Sequence, residues 1–409
     1  MMNLKFKIFT ILSLFLFVYA YAGSIFSASS QGIGIRRYTV NIRGIGMGGT
    51  GLATPDTIGL SNYTLSKWRL ISDTRAMLGF QYAKSETELP NINFSTATTY
   101  MGDLNLAIPI KTHKVLIGLS LSPYSYTDFK YIMTIQDQGL TYDETVFLKG
   151  NITKAQVGLI WSPLSKIGIS VNGNYYFGTL KDQYKLTFNN SSYYDSYHQI
   201  EYQMRGPGIG LSFDFRPNKK LMLAGFVDFE PSIRLKRNYT SPLSLESKEL
   251  TNSGSFPLQY GIGSSFRVHP QLIFSLDYSA QDWSDGLGIS QSSIEGSDVF
   301  TSSRLDNWYH LGIGLERNSK KSRNAKFLNL IDLRTGFSLT ALGYKFNDEP
   351  VMQYAGHFGI GIPFSDKNRF DLGFVAGIRG NKSKNLVEEK FFNFEISVTM
   401  GELWYQKFR

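Results

Sequence analysis

The chain has 409 residues, with 42 Lys and Arg against 33 Asp and Glu, and no cysteine, so a disulfide framework and a lipoprotein anchor are excluded. Hydrophobic residues make up 42% and aromatic residues 14%, with 30 Phe, 24 Tyr and 39 Gly, yet beyond the N-terminus no run approaches the roughly 18 apolar residues of a membrane-spanning helix. The formal charge of +9 is scattered, much of it in turns, which argues against a nucleic-acid partner.

The first 22 residues read as an export signal. Lys5 and Lys7 precede a short apolar stretch from Ile8 to Tyr19, and Ala20-Tyr21-Ala22 offers small residues for cleavage. An N-terminal anchor helix is the alternative. Removal of residues 1–22 leaves 40 basic and 33 acidic residues, a charge of +7.

Residues 23–72 lack strand alternation. They carry Arg36-Arg37, then a glycine-rich run from Arg43 to Ala53, then Thr54-Pro55-Asp56. Ile42, Ile45, Met47, Leu52, Ile58, Leu60 and Trp68 make the stretch too apolar for a disordered tail, so it is expected to be a plug.

From residue 73 to 409 the pattern changes to period two. Alternating runs between turn signals predict about fourteen strands, near 73–85, 97–109, 114–127, 150–162, 166–181, 198–216, 219–235, 255–267, 270–282, 304–317, 325–342, 351–363, 368–380 and 390–403. In the last of these Phe392, Phe394, Ile396, Val398 and Met400 share one face, and Asn393, Glu395, Ser397 and Thr399 the other. Every second connection is short (Pro109–Lys114, Pro163–Lys166, Arg216–Lys219, Arg267–Pro270, Asn318–Ala325, Ser365–Asn368). The intervening ones are mostly longer, as at Asp128–Lys149, Asn238–Gly254 and Asp282–Ser303. An even strand count with alternating loop lengths predicts an all-β fold: a transmembrane up-and-down antiparallel β-barrel in a bacterial outer membrane. Glycines recur on the predicted inner faces, as at Gly261, Gly263, Gly312, Gly314, Gly373 and Gly377, and leave room for water or a plug. The inward charges Asp277, Glu316, Asp332, Arg334, Asp371, Arg379 and Glu395 are expected to pair with the plug, Arg36, Arg37 and Arg43 being the candidate partners, or else to form a polar substrate path.

The stretch Arg43-Gly44-Ile45-Gly46-Met47-Gly48-Gly49-Thr50-Gly51-Leu52-Ala53, followed by Pro55-Asp56 and Ser61-Asn62, resembles the N-terminal hatch of FadL/TodX-type outer-membrane transporters of long-chain fatty acids and other hydrophobic compounds. The resemblance implies a fourteen-stranded barrel closed by a hatch, with Arg43, Gly46, Gly48, Gly49 and Asn62 as hatch residues. The Asn-Pro-Ala segment typical of the family is replaced here by Asn62-Tyr63-Thr64. Members kink their third strand to open a sideways exit, and Pro123, which lacks an N–H, is a candidate for such a break. Position 123 would otherwise sit at the rim where pairing ends. Trp404, Tyr405 and Phe408 are candidate girdle and assembly-signal aromatics, read by the barrel assembly machinery, although Arg409 follows the expected terminal aromatic.

Enzyme chemistry finds little support. Gly44-Ile45-Gly46-Met47-Gly48-Gly49 has the letters of a dinucleotide fingerprint without the strand–helix context it needs. The five histidines lack metal-ligand spacing, and pairing His310 with Ser302 or Ser303 is the weakest reading. The expectation is a non-enzymatic channel without cofactors, passing fatty acid-like hydrophobic molecules into outer-membrane lipid by lateral diffusion. The alternative is a barrel of the same fold that holds protein partners, as in type IX secretion.

Overall fold

The computed structural model describes residues 24–28, 33–88, 93–137, 140–189, 192–241, 248–284, 304–320 and 327–402. The predicted signal segment, Ser302, Ser303, and the aromatics Trp404, Tyr405 and Phe408 lie outside the described residues.

A two-residue strand β1 (Ile35–Arg36) precedes fourteen long ones: β2 (Thr74–Glu88), β3 (Asn93–Lys111), β4 (Val115–Asp137), β5 (Leu140–Leu164), β6 (Ile167–Phe188), β7 (Ser196–Phe215), β8 (Leu221–Thr240), β9 (Lys248–His269), β10 (Leu272–Asp282), β11 (Arg304–Arg317), β12 (Asp332–Phe346), β13 (Glu349–Pro363), β14 (Arg369–Asn381) and β15 (Val387–Glu402). Strands β2 to β15 each pair antiparallel with their sequence neighbours, and β15 pairs with β2 from Glu388↔Glu88 to Glu402↔Thr74, which closes the barrel. Closure of β15 on β2 pairs the first and last long strands, so neither presents a free edge there.

The alternation that defines these strands also assigns their faces. On β9, Leu258, Tyr260, Ile262 and Phe266 are exposed on the outside, while Gln259 and Ser265 are buried inside. On β7, Ile209, Leu211 and Phe213 face out, and Ser212 and Asp214 face in. A slip of one residue would carry Asp214 onto the apolar exterior, so the register is fixed by burial. Prolines interrupt ladders where they fall mid-strand: register shifts lie between Arg205 and Ile209 around Pro207, and between Glu230 and Ile233 around Pro231.

Two expected connections are corrected. Residues 128–149 are not a loop, because β4 runs on to Asp137 and β5 begins at Leu140, paired to the tip at Asp137↔Leu140. Beyond the apolar belt a hairpin is held by its ladder and needs no apolar outer face, so its polar residues masked it. The predicted strand at 325–342 starts at Asp332 instead. A helical turn, Phe327–Leu330, precedes it, and its apolar letters imitate a strand in a short window. At the opposite end β12 and β13 meet in a tight turn, with positive φ at Asn347 (55°) and Asp348 (58°), as a two-residue hairpin turn requires.

Residues 33–72 lie inside the wall. Val40, Met47, Leu52, Leu60, Leu65 and Trp68 are fully buried, and the segment touches inward side chains from β3 round to β15. Towards the end carrying the short turns, Leu60, Leu65, Trp68 and Ile71 pack on Met77, Ala107, Leu116 and Ile160. Towards the other end, an apolar cluster of Tyr124, Tyr176, Tyr202, Phe256, Trp283 and Trp308, among others, fills the interior.

Candidate functional site

Inner strand glycines let the backbone of the inner segment come against the wall. A Cβ at Gly312 would lie 2.3 Å from Gly48 O, one at Gly314 2.3 Å from Met47 O, and one at Gly336 2.3 Å from Gly48 N. The segment answers in kind. Gly46 meets the Gly359 Cα, where a Cβ would come within 2.6 Å. Gly48 has φ +73° and its Cβ would be 2.5 Å from the carbonyl oxygens of both Ile313 and Phe337, so only glycine fits there. Gly49 faces the His310 ring, and His310 Nε2 lies 3.2 Å from Gly48 O. His357 likewise bridges Ser338 Oγ (2.8 Å) and Ile45 O (2.6 Å). His310 therefore binds inner-segment backbone and Thr340 Oγ1.

Charge supplies the second set of contacts. Arg43 pairs with Glu316 on β11 and, at 3.0 Å, with Asp56. Glu316 also holds Arg334 on β12 (2.8 Å); Arg334 holds Asp371 on β14 (2.7 Å); Asp371 holds Arg369 (2.7 Å); and Arg369 returns to Asp56 (2.9 Å). Three guanidiniums and three carboxylates thus alternate in a closed, buried ring, two of whose members belong to the inner segment. Burial alone would raise the Asp56 pKa, but Arg369 and Arg43 outweigh it and hold the carboxyl well below the usual range. Elsewhere Arg37 pairs with Asp103 and Glu395, Arg69 with Asp214, and Asp277 accepts from Gly51 N (2.6 Å) and Leu52 N (2.7 Å). Of the three arginines proposed as partners from sequence, Arg37 and Arg43 have carboxylates, and Arg36 has none among the described residues. Asn62 is buried, donating to Thr39 O and accepting from Asn105 Nδ2 at 2.8 Å.

Pro123 lies in the middle of β4 rather than at a rim. The β3–β4 ladder runs from Lys111↔Val115 to Leu104↔Leu121 and goes no further, while β3 continues to Asn93 on β2 alone. On its other edge β4 stays paired with β5, with a register shift between Pro123 and Ser125. The β4 edge vacated by β3 is taken by β1, through Ile35↔Tyr126 and Arg36↔Ser125, and by Arg37 N donating to Tyr124 O at 2.9 Å. The wall therefore has a seam between β3 and the upper part of β4, with the inner segment laid into its base. Sequence flagged the proline but carried no sign that β1 would take over the edge.

A search by sequence among curated proteins found no match. Solved structures share the fold. A Pseudomonas aeruginosa FadL homologue superposes with a TM-score of 0.61 at 12% identity, covering 90% of this chain and 99% of its own. The Ralstonia pickettii toluene transporter TbuX gives 0.61 at 13% identity, covering 89% and 98%, and the Pseudomonas putida toluene transporter TodX 0.59 at 13%, covering 92% and 100%. The fold implied by the resemblance of the glycine-rich segment is thus the fold these structures share with this chain. By sequence family the assignment is distinct: a family profile matches residues 2–409, and the chain belongs to the BamG family.

Proposed function

We propose that this protein sits in the bacterial outer membrane and passes hydrophobic small molecules, fatty acid-like or aromatic, sideways into outer-membrane lipid. The observation that carries the reading is the seam. The β3–β4 ladder stops at Leu121, two residues before Pro123, and the buried aromatic cluster of Tyr124, Tyr176, Phe256 and Trp308 begins next to it. A buried aromatic cluster beside a wall without its ladder suits contact with ligands that partition into lipid. The solved structures of similar fold include proteins described as toluene transporters, which supports the same ligand class.

On this reading residues 23–72 form a hatch, with Arg43, Gly46, Gly48, Gly49 and Asn62 anchoring it, and Pro123 marks the exit. No cofactor or covalent step is needed. An interior void of about 80 Å³ is lined by Arg36, Arg37, Arg379 and Glu395 among others. That is well below the roughly 150 Å³ of a cavity that takes up benzene. On this reading ligand passes the seam when residues 33–38 move off β4.

Membership of the BamG family and the filled lumen favour a second reading, a barrel that serves as a platform for protein partners, within barrel assembly or secretion. Purification in a detergent without fatty-acyl chains, followed by mass spectrometry, separates the two. Recurrent fatty acids or hydrocarbons, together with saturable binding of oleate or toluene, support the channel. A ligand-free barrel that binds neither and retains a stoichiometric protein partner favours the platform.

A further inference from the structure

Arg36 differs from the other buried arginines. Arg37, Arg43, Arg69, Arg75, Arg334, Arg369 and Arg379 each have a carboxylate partner. Arg36 is only 7% exposed, and its Nε, Nη1 and Nη2 have no hydrogen-bond acceptor among the described residues. Its guanidinium lies over two rings, with Cζ 4.2 Å from the Tyr124 centroid and 4.7 Å from that of Trp308. These cation–π contacts offset part of the desolvation cost, but leave the N–H groups without an acceptor. The Trp308 Nε1–H is also buried without an acceptor. Arg36 and Trp308 both line the void of about 80 Å³.

Of the unpartnered groups on this void, those of Arg36, Trp308 and Arg37 Nε donate, the Tyr38 hydroxyl can do either and Gln81 Oε1 accepts, so donors predominate and Arg36 carries a full positive charge. What such a site lacks is an acceptor, and an unpaired buried cation favours one that is negative. The nearby Glu395 is already engaged by Arg37, and Glu389 by Arg379. The geometry points to a binding site for a small monovalent anion, of halide or carboxylate chemistry, with Arg36 as its principal ligand and Trp308 as a second donor. The void bounds its size. The site stands apart from the question of what crosses the barrel, because it requires only the closed arrangement of β1 on β4.

The test is thermal unfolding of the purified full chain in detergent, in sodium bromide, sodium formate or sodium gluconate at equal ionic strength, with crystals grown in bromide examined for anomalous scattering. Bromide and formate should raise the melting temperature saturably, whereas gluconate, too large for the void, should not. An anomalous peak should appear beside Arg36. Arg36→Met should raise the half-saturating bromide concentration at least tenfold, Arg36→Lys should retain a response, and Trp308→Phe, which keeps a ring but loses the N–H, should weaken it several-fold. If Arg36→Met does not fold, Trp308→Phe and the anomalous map still decide. Equal melting in all three salts, an unchanged bromide response in Arg36→Met or Trp308→Phe, or no peak beside Arg36 would mean that water alone fills the void and would overturn the assignment. A response to decanoate far exceeding that to formate would also overturn it, in favour of a larger ligand.

Discussion

The Arg43 guanidinium grips Glu316 through both carboxylate oxygens, Nε reaching Oε1 at 2.8 Å and Nη2 reaching Oε2. One residue belongs to the inner segment and the other to the wall, so this contact is a direct tie between them. It is also one edge of the six-membered ring through Arg334, Asp371, Arg369 and Asp56. Removing one of the two leaves its neighbour a single partner, Glu316 keeping Arg334 and Arg43 keeping Asp56, so the cost falls below the roughly 3–5 kcal/mol of a fully stranded buried charge. Arg43→Met or Glu316→Gln should each lower the free energy of unfolding by about 1.5–3 kcal/mol, measured by urea titration in detergent. The double variant should cost less than the sum of the two, since their shared contact is lost only once.

The same ring fixes a pH response. The Asp56 carboxyl is held well below its ordinary value by Arg369 and Arg43, against the opposing effect of burial. A carboxylate with a lowered folded pKa contributes stability that is present above the unfolded value, about 4, and lost only as pH falls through the lowered one. The part of the inner segment's protease resistance that depends on Asp56, read as the difference between wild type and Asp56→Asn, should therefore be constant from pH 8 to about pH 4. His310 and His357, which also bind this segment, are present in both proteins and cancel in the difference. A difference that already vanishes near pH 6 would show that Asp56 does not control docking.

Glycine positions give a sharper steric test. Gly48 combines φ +73° with two carbonyl oxygens where a Cβ would go, whereas a Cβ on Gly173 of β6 would meet nothing within 4 Å. Gly48→Ala should cost at least about 1–3 kcal/mol in local strain and free the inner segment for cleavage by added protease. Gly173→Ala should stay within about 0.5 kcal/mol of wild type. Both barrels should still show heat-modifiable migration, because the substitutions leave the wall ladder intact.

How much of this was legible beforehand depends on the range of the interaction. Strand faces such as Gln259 against Tyr260 follow from a period of two, which is local, and burial enforces it. The expectation that inward charges meet inner-segment arginines holds for Arg37 and Arg43, since buried charges need partners. Nothing in the adjacent letters Arg36-Arg37 says that one pairs with Asp103 and Glu395 while the other lies over the rings of Tyr124 and Trp308. That difference is set by strand alternation across β1, once β1 has docked on β4. The long hairpin through Asp137 and Leu140 was missed for a related reason, since its ladder, not an apolar face, holds it out.

The docked β1 can be locked, and the lock addresses the path. Ile35 and Tyr126 are register partners on β1 and β4. Directly opposed antiparallel residues sit about 4.5–5.5 Å apart at Cα, within the span of a disulfide. The chain has no native cysteine to interfere. The double variant Ile35→Cys/Tyr126→Cys should therefore form a bond on oxidation that keeps β1 over the base of the seam. If ligand leaves by that seam, uptake of a radiolabelled hydrophobic compound by cells carrying the oxidised protein should fall at least tenfold and recover on reduction. The single variants should transport in both conditions. Uptake that is unchanged by oxidation, with the crosslink verified by mass spectrometry, would place the path elsewhere and leave the β1–β4 contact as a brace for the wall.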